Sequence, residues 1–425
     1  MLIGWLIGIL GTVRAQSIPV LDPSMAVDTS FSSIFEDVEI IPLETNRESV
    51  FGIVKQLLVT DQYFVILDPD TDAILFFDKK GRYLAKYRNR QSRYRINFIQ
   101  LDRQNNALLV FSQNKNYNIS ASKLQDYLLQ GATKELPERI HSIRLYLHDL
   151  NLLRSEELKT PAYLLTNPIW LGHNQFAFSF VKSNAANKDT LDYQLQVVDD
   201  NGLVKSFFPY NKKTDSVFNG RNAWQCSFSA TLNDSIWLLT KPFDSVVYSL
   251  TPTSIAARYK VIVPRRNVPE MPFGMESVSF FDGESFIVSS PNSGRGGGGS
   301  SAIGFNANNI GHVFSLDQFL FFSIRQSFIY DYYIYDKKNG SIYNYKELKP
   351  DSSNYMFPLT GAILASDQSG IYQSVTARTL FRKKKNAAKL KWKYQASLDR
   401  FYNSAKETDN PVLIRIKPKE QTVTK

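Results

Sequence analysis

Short hydrophobic runs alternate with turn-forming residues along most of the chain. The runs VEIIPLE, GIVKQLLVT, YFVILDP and AILFFD follow one another from Phe35 onward, each with the length of a β-strand and with Pro, Asp or Gly at its edges. The next stretch, LFFDKKGRYLAKY at residues 75–87, predicts a hairpin in which Gly81 takes the positive φ that closes the turn. This pattern predicts consecutive antiparallel strands.

The same hairpin pattern returns further along the chain. It is present in LQVVDDNGLVKSFF at residues 195–208, in YYIYDKKNGSIYNY at residues 332–345 and, more loosely, in SVVYSLTPTSIAARYKV at residues 245–261. Other strands lie between these hairpins, so the repeating unit contains about four strands, as a β-propeller blade does. The uneven spacing of the hairpins leaves a β-sandwich as the alternative. The predicted class is all-β.

Two segments depart from the strand pattern. Residues 120–160 mix helix-like spacing with strand-like runs. In residues 386–407, an apolar residue recurs every four positions and indicates one face of a helix. We therefore expect short helical elaborations near 120–160 and 386–407.

The beginning of the chain has the features of a secretory signal peptide. Residues 1–15, MLIGWLIGILGTVRA, combine one apolar run with the small residues Val13 and Ala15 at the −3 and −1 positions of a cleavage site. The run is shorter than the roughly 20 residues of a spanning helix, so no transmembrane anchor is expected after signal removal. We expect a signal peptide at 1–15, an N-terminal extension at 16–34 and a propeller domain at 35–425. Export would place the protein in the periplasm or at the cell surface.

Composition and charge narrow the class of protein. Hydrophobic residues make up 43% and charged residues 21%, values of a globular protein, and the 29 Phe and 22 Tyr favour pleated sheets. The single cysteine, Cys226, has no partner for an internal disulfide and is expected to be buried. The net charge of +10 is compatible with acidic ligands, but much of it lies in residues 88–95 and 382–393 without a recognition motif. No nucleic-acid partner is predicted.

Motifs for known chemistry are not evident in the sequence. The four histidines form no HExxH pattern, no GxSxG elbow is present, and no cofactor or metal is predicted. Asp68, Asp70 and Asp72 in DPDTD alternate like calcium-loop ligands, but the glycine and terminal glutamate of an EF-hand loop are missing, so turn formation is the preferred interpretation. A catalytic triad assembled from distant loops stays open.

One polar loop is a candidate ligand site. In NGRNAW, residues 219–224, Arg221 and Trp224 could supply a polar contact and a stacking surface for a sugar or a peptide. Trp224 precedes the strand QCSFSA, so a place in the core is the alternative interpretation.

The first of these runs also resemble a known family. FEDVEIIPLE followed by FDKKG, then DSVVYSL, DGESFIV, YIYDKKNGSIYNY and TDNPVLIRIK occur in the order found in a six-bladed β-propeller family of secreted bacterial proteins. The resemblance implies six blades, and we expect VEIIPLE and PVLIRIK from the two chain ends to complete the last blade. Where the family continues into GQGPGEY, this chain has NRQSRY at residues 89–94. Tyr94 keeps the family's tyrosine position and is the third candidate ligand contact.

The resemblance also suggests a role. Members of the family are often encoded beside outer-membrane glycan uptake systems, which implies a glycan, a peptide or an outer-membrane transport protein as partner. The sequence therefore favours a non-catalytic binding or interaction module. A propeller-type lyase or hydrolase acting on glycans or peptides is the alternative, and a structural subunit of a surface complex is a third.

Overall fold

A computed structural model gives the fold of the chain. The structure describes residues 17–89, 93–115, 140–158, 168–178, 192–199, 201–210, 226–233, 235–241, 244–263, 277–281, 285–289, 310–326, 329–355, 361–389 and 396–419.

The described residues contain strands and a few short helices. The strands are β1 (Val20–Leu21), β2 (Phe35–Pro42), β3 (Gln56–Val59), β4 (Tyr63–Asp68), β5 (Ala73–Asp78), β6 (Tyr83–Arg88), β7 (Tyr94–Asp102), β8 (Ala107–Asn114), β9 (Ile140–Tyr146), β10 (Ser155–Glu157), β11 (Ile169–Gly172), β12 (Gln175–Phe178), β13 (Asp192–Asp199), β14 (Gly202–Tyr210), β15 (Ser227–Ala230), β16 (Trp237–Thr240), β17 (Val246–Leu250), β18 (Ile255–Val261), β19 (Ser277–Phe281), β20 (Ser285–Ser289), β21 (Ile310–Ser315), β22 (Phe319–Gln326), β23 (Ile329–Asp336), β24 (Ile342–Asn344), β25 (Ala365–Asp367), β26 (Gly370–Val375) and β27 (Val412–Pro418). The α-helices are α1 (Phe31–Ile34), α2 (Ala377–Lys389) and α3 (Ala396–Ser404).

Six antiparallel sheets succeed one another along the chain as the blades of a propeller. Blades 1 to 5 contain β3–β6, β7–β10, β11–β14, β15–β18 and β21–β24, and blade 6 contains β25, β26, β27 and β2. The first strands contact each other between blades 1 and 2, 2 and 3, 4 and 5, and 5 and 6. Blades 3 and 4 share a buried cluster, and β25 of blade 6 contacts β3 of blade 1, so the ring closes. The predicted all-β, six-bladed fold is confirmed. A separate hairpin, β19–β20, lies between blades 4 and 5 in sequence.

The two ends of the chain meet in blade 6. β2 pairs antiparallel with β27, with Ile40 opposite Ile414, as predicted for the last blade. Upstream of β2, β1 adds a fifth, parallel strand to blade 4, and the Val27 amide donates to the Ile342 carbonyl of blade 5 over 2.9 Å. The segment before Phe35 thus crosses the outer edges of blades 4 and 5 before it enters blade 6. Its boundary with the propeller domain stays a prediction.

The hydrophobic runs are continuous because both faces of a blade are buried. In β4, Val65 and Leu67 pack against blade 2, whereas Phe64 and Ile66 pack against blade 6. Successive side chains of a strand point to opposite faces, so a sheet between two neighbours needs apolar residues at every position. Among the described residues, six buried clusters each occupy one interface between neighbouring blades.

An aspartate closes each of the three clear hairpin turns. The side chains of Asp78, Asp199 and Asp336 each accept a hydrogen bond from the backbone amide two residues later, over 2.9, 2.7 and 2.9 Å. Such Asx turns hold the chain in the reversed direction. Gly81 has a φ of +81°, as the sequence predicts, and Gly340 has +78°.

The helical elaborations concentrate in blade 6. α2 and α3 lie between β26 and β27, where residues 386–407 predict a helix. Of residues 120–160, the structure describes 140–158, which form β9, β10 and the connection between them. No helix in the described part of the chain has the length and apolar character that crossing a bilayer requires.

Candidate ligand-binding surface on blades 1 and 2

The candidate surface lies at one edge of the sheets, which we call the upper edge. Because the four strands of a blade alternate in direction, the first strand begins and the fourth ends at this edge, and the loop between the second and third strands is also there. In blade 2, the first residue of β7, the last residue of β8, the first residue of β9 and the last residue of β10 therefore lie at this edge. Residues at the ends of strands on a rigid sheet are a usual place for binding groups.

Tyr94 and His141 form a stacked pair at this edge. Their ring centroids are 5.0 Å apart with an interplanar angle of 30°, since they begin the first and third strands of blade 2. Tyr94 is 5% exposed, and the guanidinium carbon of Arg93 lies 5.6 Å from its ring centroid. Nδ1 of His141 lies 3.5 Å from a carboxylate oxygen of Glu157, whose side chain is 74% exposed. Two accessible charged groups, those of Arg93 and Glu157, therefore lie beside the stacked rings of Tyr94 and His141.

An ion pair between lysine and aspartate continues this surface to blade 1. Nζ of Lys115 lies 3.4 Å from Oδ2 of Asp72, and the Lys115 amide donates to the Arg93 carbonyl over 2.8 Å. Oδ1 of Asp72 accepts a hydrogen bond of 2.7 Å from the Ile96 amide. Asp72 has a φ of +52°, so the turn of blade 1 directs its carboxylate toward blade 2. We call Asp72, Arg93, Lys115, His141 and Glu157 the upper-edge cluster.

The neighbouring aspartate has a different role. Asp68 is buried and accepts hydrogen bonds from the backbone amides of Asp70 and Thr71 and from the Thr71 hydroxyl. Its oxygens are thus used within the turn. Within the described ranges, no group of three or more His, Cys, Asp or Glu side chains has an arrangement that could hold a metal ion.

Two glutamine side chains fix the blades that carry this surface. Gln56 donates to the carbonyl of Ile99 over 2.6 Å and accepts from its amide over 3.0 Å. Gln100 makes the same pair of bonds with Trp170, over 2.7 and 2.9 Å. Each amide group thereby joins one blade to the first strand of the next. Neither glutamine was predicted from the sequence, although both lie in the first strand of a blade.

The other two predicted ligand contacts, Arg221 and Trp224, lie outside the described residues. The neighbouring described residues of blade 4 include a cysteine and a tyrosine with raised pKa values. Cys226 is buried, and burial raises the pKa of its thiol to about 12, so it stays protonated at neutral pH. Nearby, burial and then the hydrogen bond of 2.7 Å to Asp244 raise the pKa of the Tyr248 hydroxyl.

A shallow groove of about 370 Å³ marks the junction between blades 6 and 1. It is lined by residues 42–45, 80–82, 404, 405 and 409. Its polar groups already join the two blades, because the Glu44 amide donates to the Gly81 carbonyl over 2.8 Å and the Glu44 carboxylate accepts from the Tyr83 amide over 2.8 Å. We regard this groove as part of ring closure.

Comparison with known proteins identifies the family. The sequence profile of a domain of unknown function, DUF4934, matches residues 16–417. The chain belongs to this family. No curated protein matches it.

One solved structure supports the fold of this DUF4934 propeller. The propeller is similar to the "Putative exported protein" of Bacteroides fragilis NCTC 9343, with a TM-score of 0.63 and 14% identity over 95% of this chain and 100% of that one. It is also matched by a member of the DUF4221 family from Bacteroides vulgatus ATCC 8482, with a TM-score of 0.40 and 10% identity over 91% and 99% of the two chains. At such identities the first similarity shows the fold alone.

Proposed function

We propose that this DUF4934 propeller is an exported, non-catalytic module that binds a glycan or peptide ligand at the upper edge of blades 1 and 2. The observation that carries the proposal is the upper-edge cluster, in which exposed charged groups lie next to the stacked rings of the buried Tyr94 and the half-buried His141. Polar groups held on a rigid floor can bind a ligand with little loss of side-chain freedom. In this proposal the Tyr94 ring positions Arg93 and His141, both of which pack against it.

The proposed location outside the inner membrane has two supports. Residues 1–15 have the features of a signal peptide, and the similar Bacteroides fragilis protein carries the word exported in its name. The compartment would then be the periplasm or the cell surface, where a glycan ligand or an outer-membrane transport protein is available as a partner. Arg221 and Trp224 stay proposed contacts of the same ligand.

A thermal-shift screen of the purified protein against glycans and peptides tests the proposal. A ligand at a hundredfold excess over its Kd stabilises the folded state by about 2.7 kcal/mol, which is readily measured. We expect a hit that is not consumed during incubation. Chemical turnover of the hit would instead support the alternative function, a lyase or a hydrolase.

The site of binding is tested with two exposed charges. R93Q/E157Q removes one positive and one negative charge from the upper-edge cluster, and R47Q/E48Q makes the same change at two exposed residues outside it. We expect R93Q/E157Q to abolish most of the ligand-induced stabilisation and R47Q/E48Q to retain it. Equal behaviour of the two variants would exclude the upper-edge cluster as the binding site.

A further inference from the structure

The helical insertion of blade 6 has one face in the core and another in solvent. Ala377 and Leu380 of α2 are buried in the cluster between blades 5 and 6. Arg378, Arg382 and Lys385 are exposed, at spacings of four and three residues. Positions with these spacings lie on one face of a helix, so the three cations form a row about 10 Å long. We call these three residues the basic row.

The insertion also contains most of the net charge of the protein. Residues 377–411 include ten Lys and Arg against three Asp and Glu, which gives seven of the ten net positive charges of the chain. α2 itself, Ala377–Lys389, contains no acidic residue. Such a concentration creates a strong local positive potential that attracts anions.

Of the three residues of the basic row, one has an ion-pair partner among the residues that the structure describes. Nζ of Lys385 lies 2.8 Å from a carboxylate oxygen of Glu407, and this hydrogen bond lowers the pKa of Glu407. For Arg378 and Arg382, no carboxylate within the described ranges lies at ion-pair distance. Glu407 is therefore an internal competitor for any anion that binds here.

The geometry points to a linear anionic ligand. We propose that the basic row binds an acidic polysaccharide through its uronate carboxylates, at a second site that does not depend on the upper-edge cluster. Arginine forks pair with carboxylates through two hydrogen bonds. The three side chains leave the helix at intervals of about 6 and 4.5 Å along its axis, so they can contact several charges of a linear chain at once.

Two other anionic partners, a lipid bilayer and a single-stranded nucleic acid, fit the described residues less well. An interfacial helix binds a bilayer through its apolar face, but the apolar face of α2 already packs into the core. Single-stranded nucleic acid needs aromatic rings free for stacking, whereas Phe381 packs against Phe401 and Tyr402 with centroids 5.9 and 5.4 Å apart.

Binding to polygalacturonate, measured by calorimetry at low salt, tests this site. We expect R378Q/R382Q/K385Q to bind about tenfold more weakly or worse than the wild type, because three attractive charges are lost. E407Q removes the competitor and should bind at least about twofold more tightly, since carboxylate and ligand no longer share Lys385. A gain of affinity cannot result from damage to the fold.

The matched control is K80Q/R154Q/K338Q, which removes the same three charges from exposed positions on blades 1, 2 and 5. We expect it to bind like the wild type, and methyl-esterified polygalacturonate not to bind. An equal loss in the control would show that net charge, and not the row, attracts the ligand. Tighter binding to single-stranded DNA or to phosphatidylglycerol vesicles than to polygalacturonate would also overturn the proposal, while leaving the site on blades 1 and 2 untouched.

Discussion

Replacing Gln100 by methionine should weaken the contact between blades 2 and 3 and so destabilise the protein. The side-chain amide of Gln100 makes two hydrogen bonds to the backbone of Trp170, and the two residues are only 4% and 5% exposed. Methionine has a similar volume and flexibility, so Gln100→Met removes the two polar atoms without opening a large cavity. The substitution therefore isolates the contribution of the hydrogen bonds.

The expected magnitude follows from the burial of both partners. Each hydrogen bond contributes about 1 kcal/mol net, and the Trp170 amide and carbonyl would each lose a partner at a cost of about 1–3 kcal/mol. Thioether packing offsets part of this, so we expect the free energy of unfolding to fall by about 2–4 kcal/mol. Gln56 makes the same pair of bonds to Ile99 but is only half-buried, so water can replace them. For Gln56→Met we expect a loss of about 1 kcal/mol.

Urea unfolding followed by tryptophan fluorescence gives the comparison. Gln62→Met, in the exposed turn between β3 and β4, is the matched control and should change the free energy of unfolding by less than about 0.5 kcal/mol. The reasoning is refuted if Gln100→Met has the same midpoint and slope as this control. In that case, apolar packing alone would hold neighbouring blades in register.

Three further substitutions test ring closure and the N-terminal segment. Gly81→Ala places a Cβ 2.1 Å from a backbone carbonyl oxygen, so it should destabilise the protein by more than about 2 kcal/mol in urea titrations, whereas Gly340→Ala, at a similar φ with nothing within 4 Å, should cost about 1–2 kcal/mol. Asn410→Ala removes three side-chain hydrogen bonds of 2.8–3.0 Å, two of them buried, to the segment that leads from β2 of blade 6 to β3 of blade 1, and should cost about 3–5 kcal/mol by the same titration. A loss no larger than that of the exposed Asn403→Ala would contradict this. Burial raises the pKa of Asp351, but hydrogen bonds from its own turn and from the N-terminal segment outweigh this effect and lower it. Its contribution is thus complete above about pH 4 and is lost as the pH falls through the folded-state pKa, so the stability difference between wild type and Asp351→Asn should be larger at pH 7 than at pH 2, and a pH-independent difference would argue against it.

The sequence pattern was sufficient for the strands and for the turns between them, whereas the number of blades came from the resemblance to a propeller family. Continuous apolar runs of strand length, an aspartate before each clear turn and a glycine at positive φ act over a few residues, so their pattern can be recognised without a structure. The pairing of VEIIPLE with PVLIRIK was also predictable, because an unpaired edge strand is unfavourable. The four-residue spacing predicted α3 of blade 6, but most of α2 lies before the predicted segment 386–407.

The candidate surface was predictable only in part. Tyr94 was singled out by its position in a family loop, but its partner His141 lies 47 positions later in the chain and is separated from it by a long connection. A four-stranded antiparallel blade places the beginnings of its first and third strands at the same edge. This alternation of strand direction is the signal from which the proximity of Tyr94 and His141 could have been predicted. Gln56 and Gln100, whose side-chain amides bond to the next blade, had no such signal, since a glutamine in a strand looks like any half-exposed polar residue.

What the sequence determined is therefore local: which segments form strands and which residues form the turns between them. The tertiary structure decided which distant groups meet, including Gln100 with Trp170, Asp72 with Lys115 and Asn410 with Phe51. These contacts arise between blades, at separations where the chain imposes no periodicity. Only the packing of one sheet on the next fixes the distance between their side chains.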